Sequence, residues 1–111
     1  MDERYSGLIR RLREAVLGSS GVTDSTLRQA VEARAATLGG RPGAGAGVPA
    51  GLTAYVDKIA QHAFEVTNED VDALRRAGYS EDAIFEITAS AALGAGLGRL
   101  ERGLAALKGE I

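Results

Sequence analysis

The sequence contains no cysteine, and this absence removes several kinds of chemistry. Without a thiol the chain has no disulfide, no thiolate metal site and no cysteine nucleophile. It also lacks a phosphate-binding loop, a dinucleotide fingerprint and an HExxH metal motif. We therefore expect no bound cofactor and no metal. A chain free of cysteine suits a reducing compartment, so the predicted location is cytoplasmic.

An excess of basic charge is also missing. The 111 residues include 13 basic and 15 acidic side chains, for a formal net charge of −2. Proteins that bind nucleic acids usually carry a concentrated basic surface, so we expect no nucleic-acid partner. No stretch approaches the roughly 18 uncharged apolar residues of a membrane span, and the N-terminal segment lacks the apolar core of a signal peptide. No membrane partner is expected.

Aromatic residues are scarce at 5%, whereas the apolar content is 45%, much of it alanine and leucine. Both are strong helix formers, and their spacing of three and four residues predicts amphipathic helices. The predicted fold is all-α, a single-domain bundle of about five helices with a long C-terminal helix striped with glycine and alanine. The predicted helices cover Asp2 to Leu17, Ser25 to about Leu38, Pro49 to about Val66, a short helix capped by Thr67 and ended by Gly78, and Glu81 to about Leu107. The segment Ser80-Glu81-Asp82 is predicted to cap the last helix.

Glycine is concentrated between residues 41 and 47, in the segment RPGAGAG. This composition is typical of a flexible linker. It divides the chain into an N-terminal helical pair at residues 1–40, a glycine-rich linker at 41–48 and a helical core at 49–111.

The last predicted helix contains the segment ALGAGLGRL, with glycines that each cost roughly 1 kcal/mol of helix propensity relative to alanine. Close approach of another helix explains this cost best. We predict a flat contact strip at an interface, formed by Ala91, Gly94, Ala95 and Gly98. A local break in the helix and a contact with a ligand are the alternatives.

The only histidine, His62, is the first candidate for proton transfer. A structural or surface role is the more common one for a lone histidine, and a metal-ligand role is the least supported. Glu65 lies nearby, and Glu86 sits between apolar residues. Glu86 either faces solvent, which we favour, or pairs with His62 as a general acid–base dyad. A separate hypothesis is an apolar ligand pocket around Tyr55, Phe64 and Phe85.

The segment from Glu69 to Thr88, EDVDALRRAGYSEDAIFEIT, carries a family resemblance. It resembles the alkylhydroperoxidase D-like and carboxymuconolactone decarboxylase superfamily, and the similarity extends over residues 54–107. The resemblance implies an all-α fold that assembles into homo-oligomers, with the long last helix at subunit contacts. The peroxidase branch uses Cys-x-x-Cys and a following histidine, and these positions correspond to Ala63, Val66 and Asp70 here. The decarboxylase branch works by proton transfer, for which His62 and Glu65 are the candidates.

These observations lead to a functional prediction with alternatives. The first is a non-catalytic helical module of this superfamily, without thiol peroxidase activity. It would be a homo-oligomer or an accessory subunit of a larger enzyme. The alternative is a cofactor-free acid–base enzyme that acts on a small organic acid or lactone through His62 with Glu65 or Glu86. A third hypothesis is a protein that binds a small apolar ligand.

Overall fold

The computed structural model describes residues 3–110, and the described residues form five α-helices and no strand. Met1, Asp2 and Ile111 lie outside the described residues. The first helix was predicted to begin at Asp2, so that predicted start lies outside them as well. The prediction of an all-α single-domain bundle is confirmed. The elements are α1 (Glu3–Arg13) with a π-helical turn (Glu14–Gly18), α2 (Ser25–Gly39), α3 (Ala50–His62) with a 3₁₀ turn (Ala63–Glu65), α4 (Asn68–Arg76) and α5 (Glu81–Leu107).

The ends of α4 and α5 follow the local sequence closely. Thr67 caps α4 in a reciprocal arrangement with Asp70, in which each side chain accepts from the backbone N–H of the other. The Ser80 hydroxyl accepts from the N–H of Ala83 at the start of α5. Gly78 lies between the two helices with a φ of 102°, a conformation that glycine adopts without steric cost. Caps of this kind depend on neighbouring residues only, so the sequence predicted them.

The centre of the fold is the contact between α2 and α5, where the two backbones nearly touch. A Cβ atom added to Gly94 would lie 2.2 Å from the carbonyl oxygen of Glu32, and one added to Gly98 would lie 2.2 Å from that of Ala36. From the other side, a Cβ atom on Gly39 would lie 2.5 Å from the carbonyl oxygen of Ala95. Only glycine allows the two helix backbones to come this close, which explains why Gly39 occurs in α2 and why Gly94 and Gly98 occur in α5.

One hydrophobic core joins α2 to α3, α4 and α5. Its buried members are Val31, Ala35, Leu52, Tyr55, Val56, Ala60, Leu74, Ile84, Ile87, Ala91 and Ala95, from α2, α3, α4 and α5. The predicted linker at 41–48 therefore runs between elements of the same core. It also packs closely on α2, because a Cβ atom on Gly45 would lie 2.3 Å from the Cα atom of Arg34.

Helix α1 is attached to this body mainly at its C-terminal end. Its apolar residues Tyr5, Leu8 and Leu12 are exposed, whereas Leu17 in the π turn is buried. The side chain of Arg28, only 3% exposed, donates to the carbonyl oxygens of Val16 (2.8 Å) and Ser19 (2.6 Å). These bonds satisfy carbonyl groups that the end of a helix leaves unpaired. None of the helices in residues 3–110 is long and apolar enough to span a membrane.

Candidate functional site

The predicted proton-transfer residues are not assembled into one site. His62 ends α3 and is exposed, and its ring makes an edge contact with Phe64 at a centroid distance of 6.2 Å. Glu65 is exposed in the following 3₁₀ turn. Glu86 has different partners, in the loop between the π turn and α2. No hydrogen bond or ion pair joins His62 to Glu65 or Glu86 among the described residues.

Glu86 proves to be a structural residue, which corrects both interpretations of it. Its carboxylate accepts from the backbone N–H groups of Val22 and Thr23, each at 2.9 Å, and from the Thr23 hydroxyl. The bonds from Thr23 and then Val22 hold the pKa of Glu86 below its usual range, because they stabilise the ionised form. The carboxylate fastens the loop to α5. It neither projects freely into solvent nor pairs with His62.

The three predicted pocket residues lie in different environments. Tyr55 is buried in the core, and its hydroxyl lies 2.7 Å from Oγ1 of Thr88. Phe64 and Phe85 are 85% and 72% exposed, on the 3₁₀ turn and on α5. They do not enclose a cavity with Tyr55. The prediction of a shared pocket is wrong because both phenylalanine side chains are exposed to solvent, on different elements, whereas Tyr55 is buried.

The predicted contact strip does meet another helix, but that helix belongs to the same chain. Ala91, Gly94, Ala95 and Gly98 are all buried. The two glycines lie against the backbone of α2 at Glu32 and Ala36. The reason given for the glycines, close backbone approach, is thus the one seen in the structure. The expectation that the strip faces another subunit needs correction, since α2 already covers it.

A second surface, formed by small and apolar residues, lies on the opposite side of α5, and we call it the outer strip. Phe85 and Leu107 are 72% and 84% exposed, and Leu100 is also exposed. A Cβ atom on Gly96 or Gly103 would meet nothing within 4 Å, so these glycines face open space. The strip consists of Phe85, Ala89, Ala92, Leu93, Gly96, Leu100, Gly103 and Leu107.

The sequence analysis missed the outer strip, although its signal is present. The spacing of Phe85, Ala89, Ala92 and Gly96 is four, three and four residues, which places them on one face of a helix. Ile84 and Ile87 of the same helix are buried, on the opposite face. Helix α5 has small or apolar residues on two opposite faces, and periodicity alone does not show which face is covered.

A buried carboxylate in α2 was also missed. Glu32 is 1% exposed, and its oxygens form ion pairs with Arg41 (2.9 Å) and Arg13 (3.2 Å). Arg41 in turn binds Glu101 of α5 at 2.7 Å. The hydrogen bonds to Glu101 and then to Glu32 raise the pKa of Arg41 above its usual value. We call Arg13, Glu32, Arg41 and Glu101 the ion cluster. It joins α1, α2, the glycine-rich segment and α5.

Within residues 3–110, no three histidine, aspartate or glutamate side chains are grouped so that they could hold a metal ion. No family model, curated protein or solved structure matches the chain. The relationship to the alkylhydroperoxidase D-like superfamily stays a prediction from residues 69–88.

Proposed function

We propose that the protein is a self-associating helical module, in which the outer strip of α5 packs against the same strip of a second copy. The observation that carries this proposal is the outer strip itself. It extends from Phe85 to Leu107, and its largest side chains, Phe85 and Leu107, are among the most exposed apolar groups of the chain. The exposed Arg99 lies at its edge and donates to the carbonyl oxygen of Ala60 in α3. An exposed, mostly apolar surface of this kind is typical of an interaction site.

The strip is complementary to itself in an antiparallel arrangement. When two copies of α5 cross at Gly96, Ala92 of each lies opposite Leu100 of the other, so a small residue faces a large one. Phe85 then lies opposite Leu107, and Ala89 lies opposite Gly103. This pairing has the two-fold symmetry of most soluble homodimers. The open glycines at 96 and 103 would permit the close helix approach that Gly94 and Gly98 already allow between α2 and α5.

The helix dipoles favour the same direction of pairing. The first turn of α5 carries Glu81 and Asp82. An antiparallel arrangement places the N-terminal end of each helix dipole beside the C-terminal end of the other, whereas a parallel arrangement would place the two acidic first turns together.

The size of the strip predicts a weak dimer. From Phe85 to Leu107 the helix is about 33 Å long, and a contact about 12 Å wide would cover about 400 Å² on each copy. Stable specific interfaces commonly bury about 800 Å² on each partner. We therefore expect association that depends on concentration in the micromolar range or above.

Two further parts of the sequence-based prediction belong to this proposal. Membership of the alkylhydroperoxidase D-like superfamily rests on the motif at residues 69–88, and a cytoplasmic location rests on the cysteine-free composition. The alternative of an acid–base enzyme has no structural observation in its favour. The carboxylate of Glu86 is already bound by the 22–23 backbone, and among the described residues no hydrogen bond or ion pair joins Glu65 to His62. If the chain is instead an accessory subunit of a larger enzyme, that enzyme occupies the strip.

Sedimentation velocity over protein concentrations from about 1 to 500 μM tests the proposal. Wild-type protein should shift from monomer to dimer, and Phe85→Glu or Ala92→Glu should weaken the dimer by at least about tenfold, since each buries a charge in the contact. Phe64→Glu is the matched control, because Phe64 is equally aromatic, even more exposed and not on α5. It should leave the dimer unchanged. Circular dichroism verifies the fold of each variant.

A wild-type protein that stays monomeric over the whole range would contradict the proposal. So would a dimer that Phe64→Glu disrupts and Phe85→Glu does not, because the contact would then lie elsewhere. A complex with a different protein that needs Phe85, without any homodimer, would replace the second copy by an accessory-subunit contact.

A further inference from the structure

A cleft lies between α1 with its π turn and the side of α2, away from the outer strip. Its volume is about 450 Å³, and Ile9 and Leu17 provide apolar surface while Arg10, Arg13, Glu14 and Gln29 provide polar groups. Sites for small molecules usually have volumes of roughly 300–1,000 Å³ and are mostly apolar with a few polar groups. The cleft meets both conditions.

The wall of the cleft is held in place by side chains of α2. Arg28 donates to the carbonyl oxygens of Val16 and Ser19, and the Ser25 hydroxyl donates to that of Leu17 at 2.8 Å. Together they fix the π turn, Glu14–Gly18, which forms part of the lining. Turns of this type are rare and occur often at functional sites. The cleft is thus formed before any ligand arrives.

The charges of the lining select the class of ligand. Arg13 is compensated by the carboxylate of Glu32, which lies 3.2 Å from its Nε atom. Arg10 forms no ion pair with any carboxylate that the structure describes, so it is available to an anion. Glu14 is the acid of the same lining and would repel a doubly charged group, such as a phosphate monoester, more strongly than a singly charged one. One free guanidinium beside one carboxylate favours a single negative charge.

We propose that this cleft binds an amphipathic monocarboxylate. The apolar chain of the ligand lies on Ile9 and Leu17, and its carboxylate accepts hydrogen bonds from the guanidinium of Arg10. A planar guanidinium suits a carboxylate because it donates two parallel hydrogen bonds. This binding is independent of the proposed dimer, since no member of the outer strip lines the cleft.

Titration with decanoate, kept below its micelle concentration, tests the proposal by calorimetry and by amide chemical shifts. We expect saturable binding with one ligand per chain and shifts concentrated in residues 6–18 and at Gln29. Arg10→Gln should weaken decanoate binding by at least about tenfold. Arg11→Gln is the matched control, because Arg11 adjoins Arg10 on α1 without lining the cleft. It should change the affinity by less than about twofold.

Decanol provides a second, independent readout. Decanol has the same alkyl chain without the charge, so it should bind the wild-type protein more weakly than decanoate does. Its affinity for Arg10→Gln should equal its affinity for the wild-type protein. The proposal is overturned if decanoate gives no saturable binding. Equal losses in Arg10→Gln and Arg11→Gln would also overturn it, as would binding to anionic vesicles with none to monomeric decanoate, which would assign α1 to a lipid surface.

Discussion

At the scale of single residues, polar side chains hold the segments that the hydrophobic core does not reach. Arg28 from α2 binds the backbone of the π turn and of the loop that follows it, and Glu86 from α5 binds the backbone of the same loop. The charge of Arg28 also helps to keep the pKa of Glu86 low. Two residues of opposite charge thus position the loop that attaches α1.

Replacing Glu86 by glutamine should loosen this loop. Hydrogen bonds to a charged group contribute more than neutral ones, so we expect Glu86→Gln to lower the free energy of unfolding by about 1–2 kcal/mol at neutral pH. Glu65 is an exposed glutamate on the 3₁₀ turn, so Glu65→Gln should have almost no effect on the free energy of unfolding. Urea denaturation measures both. An equal effect of the two substitutions would contradict the role assigned to Glu86.

The same contact predicts a pH dependence with a defined sign. Glu86 has a lowered pKa in the folded protein, so its contribution is fully present above the pKa of an unfolded glutamate, about 4.3, and is lost as the pH falls through the folded pKa. The stability difference between wild-type protein and Glu86→Gln should be constant above about pH 5 and shrink below about pH 4. A difference that grew in acid would contradict this assignment.

At the scale of secondary-structure elements, α5 uses glycine for different purposes on its two faces. Gly94 and Gly98 permit contact with the backbone of α2, whereas Gly96 faces open space. All three weaken the helix by a similar amount in isolation. Packing against α2 accounts for the first two, and the proposed dimer contact would account for the third.

Alanine substitutions separate these roles. Gly94→Ala would place a Cβ atom 2.2 Å from the carbonyl oxygen of Glu32, so the helices must move apart. We expect a loss of about 2–3 kcal/mol in the free energy of unfolding. Gly96→Ala is the matched control and should raise that free energy by up to about 1 kcal/mol, because only helix propensity changes. Urea denaturation at low protein concentration measures both, and equal effects would refute the α2–α5 packing.

At the scale of the whole molecule, the ion cluster connects parts of the chain that are distant in sequence. Glu32 is almost completely buried and depends on Arg13 and Arg41 for compensation, while Arg41 also reaches Glu101 of α5. A buried charge that loses its partner is strongly destabilising. The cluster therefore makes the position of the glycine-rich segment part of the fold and explains why that segment lies against α2.

Removal of Arg41 should destabilise the entire protein. Arg41→Gln leaves Glu32 with Arg13 alone, and we expect a loss of about 3 kcal/mol in the free energy of unfolding. The control is Arg76→Gln, because Arg76 is exposed and forms no ion pair with a described residue. This substitution should change the free energy of unfolding by less than about 0.5 kcal/mol. Thermal denaturation followed by circular dichroism compares the two. Similar melting temperatures would show that Arg13 alone is enough to compensate Glu32.

The sequence by itself determined the fold class, most helix boundaries and the caps at Thr67 and Ser80, because these depend on periodicity and on neighbours within one or two turns. It also indicated a close helix contact at Gly94 and Gly98. The end of α3 at His62 was less well predicted, since the apolar spacing continues to Val66 whereas the backbone changes to a 3₁₀ turn.

Only the tertiary structure decided what each surface touches. It placed the glycine strip against α2 within the chain, left the outer strip exposed, and directed Glu86 to the loop at Val22 and Thr23. It also buried Glu32 among distant arginines. These contacts join residues up to 64 positions apart. Local patterns define which side of a helix is apolar or charged, but the partner of each side follows from how the helices pack together.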